Sequence, residues 1–101
     1  MVYSYRKISV EQSFDWDDSN VQHFVRHSVT RAEFEQAMRN EPNLFDYEIV
    51  DGEERWTGLG STDSLRVLVV VFTIREGRIR AVTACPANKK RVREYLKWKG
   101  C

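Results

Sequence analysis

Between Leu44 and Ala84 the apolar residues adopt strand spacing, and two tight-turn dipeptides, Asp51-Gly52 and Glu76-Gly77, divide the stretch. Phe45, Tyr47 and Ile49 alternate with Asp46 and Glu48, the period-two pattern of a half-buried strand. Asp51-Gly52 supplies the two positive-φ positions of a type I′ hairpin, so Glu53 to Gly60 returns as the partner strand with Trp56 as its large anchor. Gly60 to Ser64 has turn composition. Leu65 to Ile74 is apolar at nearly every position, as in a central strand covered on both faces, and Glu76-Gly77 turns into Arg78 to Ala84. The pattern predicts a four-stranded antiparallel meander.

Helical spacing flanks these strands. Asp17 or Ser19 can cap a first helix that buries Val21, Phe24 and Val25. A second begins more sharply, with Thr30 and Glu33 as a capping box and Val29 and Phe34 as a hydrophobic staple. It buries Phe34, Ala37 and Met38 and stops before Pro42. Pro86 ends the last strand and opens a third helix, with Val92, Tyr95, Leu96 and Lys99 on one face and Lys89, Arg93 and Lys97 on another. The expected fold is α+β, with two N-terminal helices, the meander and a basic C-terminal helix, since helices and strands are segregated rather than alternating. At 101 residues, 42% of them apolar, the chain is expected to form one domain over 1–101, led by an extended arm over 1–13.

The net charge of +1 conceals a division. Residues 1–64 carry six Lys and Arg against thirteen Asp and Glu, whereas residues 65–101 carry ten against two. A folded face built from the second part would attract a polyanion. Acidic elements covering the basic strands would instead cancel it internally. Cys85 and Cys101 cannot form a multi-bridge framework and are read as reduced thiols. Arg6 and Lys7 are not followed by an apolar run, and the longest such run, Val67 to Phe72, is too short to span a bilayer, so a cytoplasmic protein without membrane contact is expected.

No metal or cofactor signature is present: His23 and His27 stand at helical i, i+4 spacing without the surrounding HExxH pattern, and no phosphate-cradling glycine loop occurs. His27 reads either as a helix C-terminal cap or as a partly exposed titratable group. Arg78 and Arg80 share one strand face, and six cations fall within Arg78 to Arg93. Arginine suits a phosphate bidentately, while Tyr95 can stack on a base or fill core. On the second strand Glu53 and Arg55 share a face and Glu54 takes the other.

Phe14, Trp16, Asp17 and Asn20, followed by Arg26-His27, resemble the FxWDxxN…(K/R)HG opening of BrnT-type toxins, and Val29, Thr30 and Glu33 fit the start of their second helix. Gly52 to Arg55, Gly60, Arg66, Val70 to Thr73, Arg75, Gly77 and Ile79-Arg80 resemble the core that follows. The resemblance covers about residues 14–96. It implies a RelE-like fold, a metal-independent endoribonuclease, and a hetero-oligomer with a DNA-binding, BrnA-like antitoxin. By the same resemblance Lys89, Arg91 and Tyr95 look like the catalytic set of the last segment, with Arg80 contributed by the strand. Attack of an RNA 2′-hydroxyl on its own phosphodiester would need a base, cations for the developing charge and an acid. Arg80 and Arg91 suit the charge. His27, Glu54 and Lys89 are open alternatives for proton transfer, and Arg55, Arg78 and Arg93 are expected to hold RNA. Two positions depart from the pattern: Ser28 replaces a glycine, and Cys85 replaces an arginine. The second raises the alternatives of a weakened or inactive relative that binds RNA or a protein partner without cleavage.

Overall fold

The computed structural model describes residues 13–17 and 28–100, the last three as backbone. The expected meander is present: β1 (Asn43–Val50), β2 (Glu53–Ser61), β3 (Val67–Arg75) and β4 (Arg78–Pro86) pair antiparallel in the order β1-β2-β3-β4. Both hairpins turn as their dipeptides require, with Asp51 and Gly52 at φ 52° and 80°, and Glu76 and Gly77 at φ 53° and 75°.

One N-terminal helix, α1 (Arg31–Arg39), is present among the described residues rather than two. The expected helix carrying Val21, Phe24 and Val25 lies outside them, as does most of the arm over 1–13. The Thr30 hydroxyl accepts from the Glu33 N–H at 3.1 Å, and the Glu33 carboxylate accepts from the Thr30 N–H at 3.0 Å, completing the capping box. Phe34, Ala37 and Met38 are buried against Leu68, Val70 and Phe72 of β3 and Ile79, Ala81 and Ala84 of β4. The helix lies close on β2 because Gly60 has no side chain: a Cβ there would stand 2.9 Å from the Ala37 carbonyl oxygen.

Residues 13–17 complete this layer. Phe14 forms a parallel bridge with Ile79, the Asp15 N–H donates to the Ile79 carbonyl at 2.8 Å, and the Ile79 N–H donates to the Ser13 carbonyl at 3.0 Å. Phe14 and Trp16 meet Phe34 edge-on, with ring centroids 6.1 and 5.6 Å away.

Among the described residues, the opposite sheet face is covered at one end only. Helix α2 (Lys89–Gly100) packs there, burying Tyr95 with Leu59 and Val67. Central strand β3 is thus enclosed on the α1 face but only partly on the other, where Val69 and Val71 are half-buried. Two local expectations shift. Pro86 remains in β4, and α2 starts after Asn88, whose Oδ1 accepts from the Arg91 N–H at 2.9 Å. A bulge between Leu44 and Asp46 takes Phe45 out of the row formed by Tyr47 and Ile49 and under α2, where the Arg91 guanidinium carbon lies 4.5 Å from its ring centroid.

Arg66 ties the start of α1 to the sheet, donating from Nη1 to the Glu33 carboxylate oxygens at 3.0 and 2.9 Å and to the Ser28 carbonyl at 3.0 Å. The Thr30 N–H and then Arg66 hold the Glu33 carboxyl below its ordinary value, outweighing the opposing effect of burial. A carboxyl lowered on folding contributes stability above its unfolded pKa and loses that contribution as pH falls through the folded one. Glu33→Gln should therefore cost about 1 kcal/mol in urea unfolding at pH 7, a value kept small by partial exposure. The difference from the parent protein should disappear in acid, below the folded pKa.

Ser28 has φ 59°, in the left-handed region that disfavours a Cβ. This explains why glycine suits the position. Ser28→Gly should raise stability by about 0.5–1 kcal/mol, or about 2–6 °C in thermal unfolding, net of the extra entropy that glycine gives the unfolded chain.

Candidate nucleic-acid interface

The sheet face that α2 half covers carries most of the strand cations. Thr73 pairs with Arg80 and Arg75 with Arg78, so Arg75, Arg78 and Arg80 project to this face at the β3–β4 hairpin end, as the alternation of β4 predicts. An extra residue in β4, where the register shifts between Val71 and Phe72, keeps Thr83 and Cys85 on the same face as Arg80.

Carboxylates meet Arg75 and Arg80, and a carbonyl meets Arg78. Glu53 accepts from Arg75 Nη2 at 2.9 Å and from Arg55 Nε at 3.4 Å, and these two guanidinium groups, Arg75 first, hold its carboxyl below the ordinary value. Arg78 Nη2 donates to the Phe14 carbonyl at 2.7 Å. Arg80 lies 2.7 Å from Asp17 and 3.6 Å from Asp15, with 17% of its side chain exposed. Enclosing a guanidinium to that degree without a counter-ion would cost several kcal/mol. At the hairpin end, then, acidic residues of the N-terminal part meet Arg55, Arg75 and Arg80, while Arg78 meets a backbone carbonyl.

The charge on α2 is less compensated. Lys89, Lys90, Arg93 and Lys97 are exposed, and among residues 89–97 the acidic residue is Glu94, which lies 3.5 Å from Arg91. Lys89, Lys90 and Arg91 occupy the first turn, which has no acidic residue. The helix dipole favours anions there, so the arrangement costs helix stability while concentrating positive potential at the helix N-terminus. Arg91 is fixed by Phe45 beneath it and Glu94 beside it.

The structure separates residues that stand close in sequence. The strand from Arg80 to Pro86 covers about 20 Å at 3.3 Å per residue, so Arg78 and Arg80 occupy one end of the face while Lys89, Arg91 and Arg93 follow from the other. Cys85 lies between them, opposite Val69. Glu54 faces the α1 side, where it accepts from the Tyr47 hydroxyl at 2.6 Å, so the sheet stands between it and Arg80. Tyr95 is 2% exposed with its hydroxyl 3.1 Å from that of Ser61; it supports α2 from beneath rather than offering a ring for stacking. His27 lies outside the described residues.

Asp15 and Asp17 did not stand out as site residues in sequence, although the signal is present. In extended backbone Phe14-Asp15-Trp16-Asp17 alternates, sending two rings to the core and two carboxylates to Arg80.

The family model described as ribonuclease toxin, BrnT, of type II toxin-antitoxin system matches residues 16–91. The chain belongs to the BrnT toxin family. No curated protein matches it. Its family is one of ribonuclease toxins from type II toxin-antitoxin pairs, which implies a cognate antitoxin. The matched segment runs from Trp16 to Arg91 and so includes the arm carboxylate Asp17, the hairpin-end arginines and the first turn of α2.

Proposed function

We propose that this BrnT-family chain is a cytoplasmic, metal-independent endoribonuclease with a RelE-like fold that draws RNA over the first turn of α2 and onto the half-open sheet face. The observation that carries this reading is the cationic turn Lys89-Lys90-Arg91, which has no acidic residue and stands where a helix dipole adds to its pull on phosphate. Lys89, Arg91 and Arg93 hold the RNA backbone, and the hairpin-end residues Arg55, Arg78 and Arg80 line the far end of the track. Tyr95 maintains the seat of α2. The 2′-hydroxyl attacks its neighbouring phosphorus and the 5′-oxygen leaves, with the cations stabilising the extra charge of the transition state. His27 remains a candidate for proton transfer; Glu54 is disfavoured by its placement across the sheet. A DNA-binding, BrnA-like antitoxin silences the toxin by covering the same basic surface.

Replacing Lys89, Lys90 and Arg93 together by Ala should weaken binding to a single-stranded RNA and make it less sensitive to salt. Each of the three cations neutralises one phosphate, so without them the slope of log K against log salt should become shallower by about 2. An unchanged slope would remove α2 from the RNA path.

Cys85 favours a second reading, in which cleavage is weak and binding predominates. It leaves a neutral thiol between the two groups of cations, at the position where the family pattern has an arginine. Cys85→Arg should raise kcat/KM on RNA by about ten- to a hundredfold if that arginine would meet the scissile phosphate. Tighter RNA binding without any cleavage would instead support the binding-only reading.

A further inference from the structure

The proposed reaction leaves open which group touches the ribose, and this inference rests on that ribonuclease reading. We propose that Asp17, held against Arg80 beside β4, accepts the ribose 2′-hydroxyl and takes its proton. A general base here must reach substrate, lie on the cationic face and keep a fixed position. Of the carboxylates paired with strand arginines on this face, Glu53 is 29% exposed and shared by two guanidinium groups, and Asp15 is 26% exposed. Asp17 is 48% exposed, and Arg80, at 2.7 Å, lies beneath it at 17%.

The segment before Asp17 is held at several points. The chain before it is bonded to both polar groups of Ile79, Phe14 and Trp16 are packed edge-on against Phe34, and the Trp16 Nε1–H donates to Glu35 at 2.8 Å. Arg80 thereby fixes the carboxylate, and its charge lies beside the oxygen that becomes the nucleophile. An exposed carboxylate repels phosphate but accepts a hydroxyl proton, so the two parts of a nucleotide are sorted. At this end of the face the phosphate is drawn to Arg78 and the 2′-hydroxyl to Asp17, while the cations of α2, about 20 Å away, hold phosphates further along the strand.

In the step itself the O2′ proton passes to the Asp17 carboxylate, O2′ bonds to phosphorus, and the P–O5′ bond breaks. The departing O5′ keeps the bonding electron pair and takes a proton from water. The products are a 2′,3′-cyclic phosphate and a 5′-hydroxyl end. The same contact distinguishes RNA from DNA, since the 2′-hydroxyl is the group that differs.

The test uses the full chain and two single-stranded oligonucleotides of one sequence, all-ribo and all-2′-deoxy. Asp17→Asn should lower kcat on the ribo strand by about 10²- to 10⁴-fold with KM changed less than about threefold, and should remove the acid-side limb of the kcat–pH profile. Asp17→Glu should recover part of the rate. The parent protein should bind the ribo strand more tightly than the deoxy strand, and Asp17→Asn should reduce that preference. Retention of kcat or of the acid limb in Asp17→Asn overturns the assignment, as does an unaltered preference between the strands. If Asp17→Asn fails to fold, a parent protein that binds both strands equally overturns it, and a ribo preference kept by Asp17→Glu supports it. A parent protein that neither binds nor cleaves RNA instead removes the ribonuclease reading on which the assignment rests.

Discussion

Phe34 is the constraint on which the rest of the molecule depends. A nine-residue helix cannot cover four strands, and α1 encloses the middle of its sheet face together with Phe14 and Trp16, which meet Phe34 edge-on from the N-terminal side. Those rings bring an extended segment to the outer edge of β4, where it pairs with Ile79 and covers hydrogen-bonding groups that an edge strand would otherwise expose. Strand alternation does the rest. With Phe14 and Trp16 committed to the core, Asp15 and Asp17 turn towards Arg80, so the electrostatics of one sheet face follow from the packing of the other.

The division of charge along the chain has two outcomes in the folded molecule. At the hairpin end, acidic residues from the N-terminal part meet the basic strands, with Glu53 between Arg55 and Arg75 and the arm carboxylates on Arg80. On α2, Lys89, Lys90 and Arg93 are exposed, and Glu94 is the acidic residue among residues 89–97, beside Arg91. Self-compensation therefore describes Arg55, Arg75 and Arg80, whereas Arg78 and the helix carry the charge that can attract a polyanion. A partly enclosed guanidinium must be paired, whereas an exposed lysine keeps its hydration and needs no partner.

Features that are local in physics were legible in the sequence. Asp51-Gly52 and Glu76-Gly77 state their own backbone angles, the Thr30 and Glu33 box is complete within four residues, and the continuous apolar run from Leu65 to Ile74 with the turn after it placed β3 and β4. Less legible were consequences of one residue inserted or one element swung across another. The bulge beside Phe45 reverses which face that ring occupies, and no composition signal marks it. The six cations from Arg78 to Arg93 look like a single patch because a sequence shows separation in residues. Most of that interval is strand, so about 20 Å lies between the two groups. Tyr95 belonged with either core or site on its pattern, and the docking of α2 on Leu59 and Val67 decides for core.

The first turn of α2 is the place where local preference and the folded arrangement disagree most. Lysine and arginine at a helix start oppose the dipole, and one acidic residue there would stabilise the helix by about half a kcal/mol. What holds α2 despite this is burial at its middle, Val92 and Tyr95 on the sheet, and the Asn88 cap at its start. A helix held by its centre tolerates a strained end. That end is thereby free to carry charge that its own stability does not favour, and an incoming phosphate would relieve the repulsion among Lys89, Lys90 and Arg91. Binding of a polyanion should therefore stabilise the folded chain through the residues that destabilise it alone.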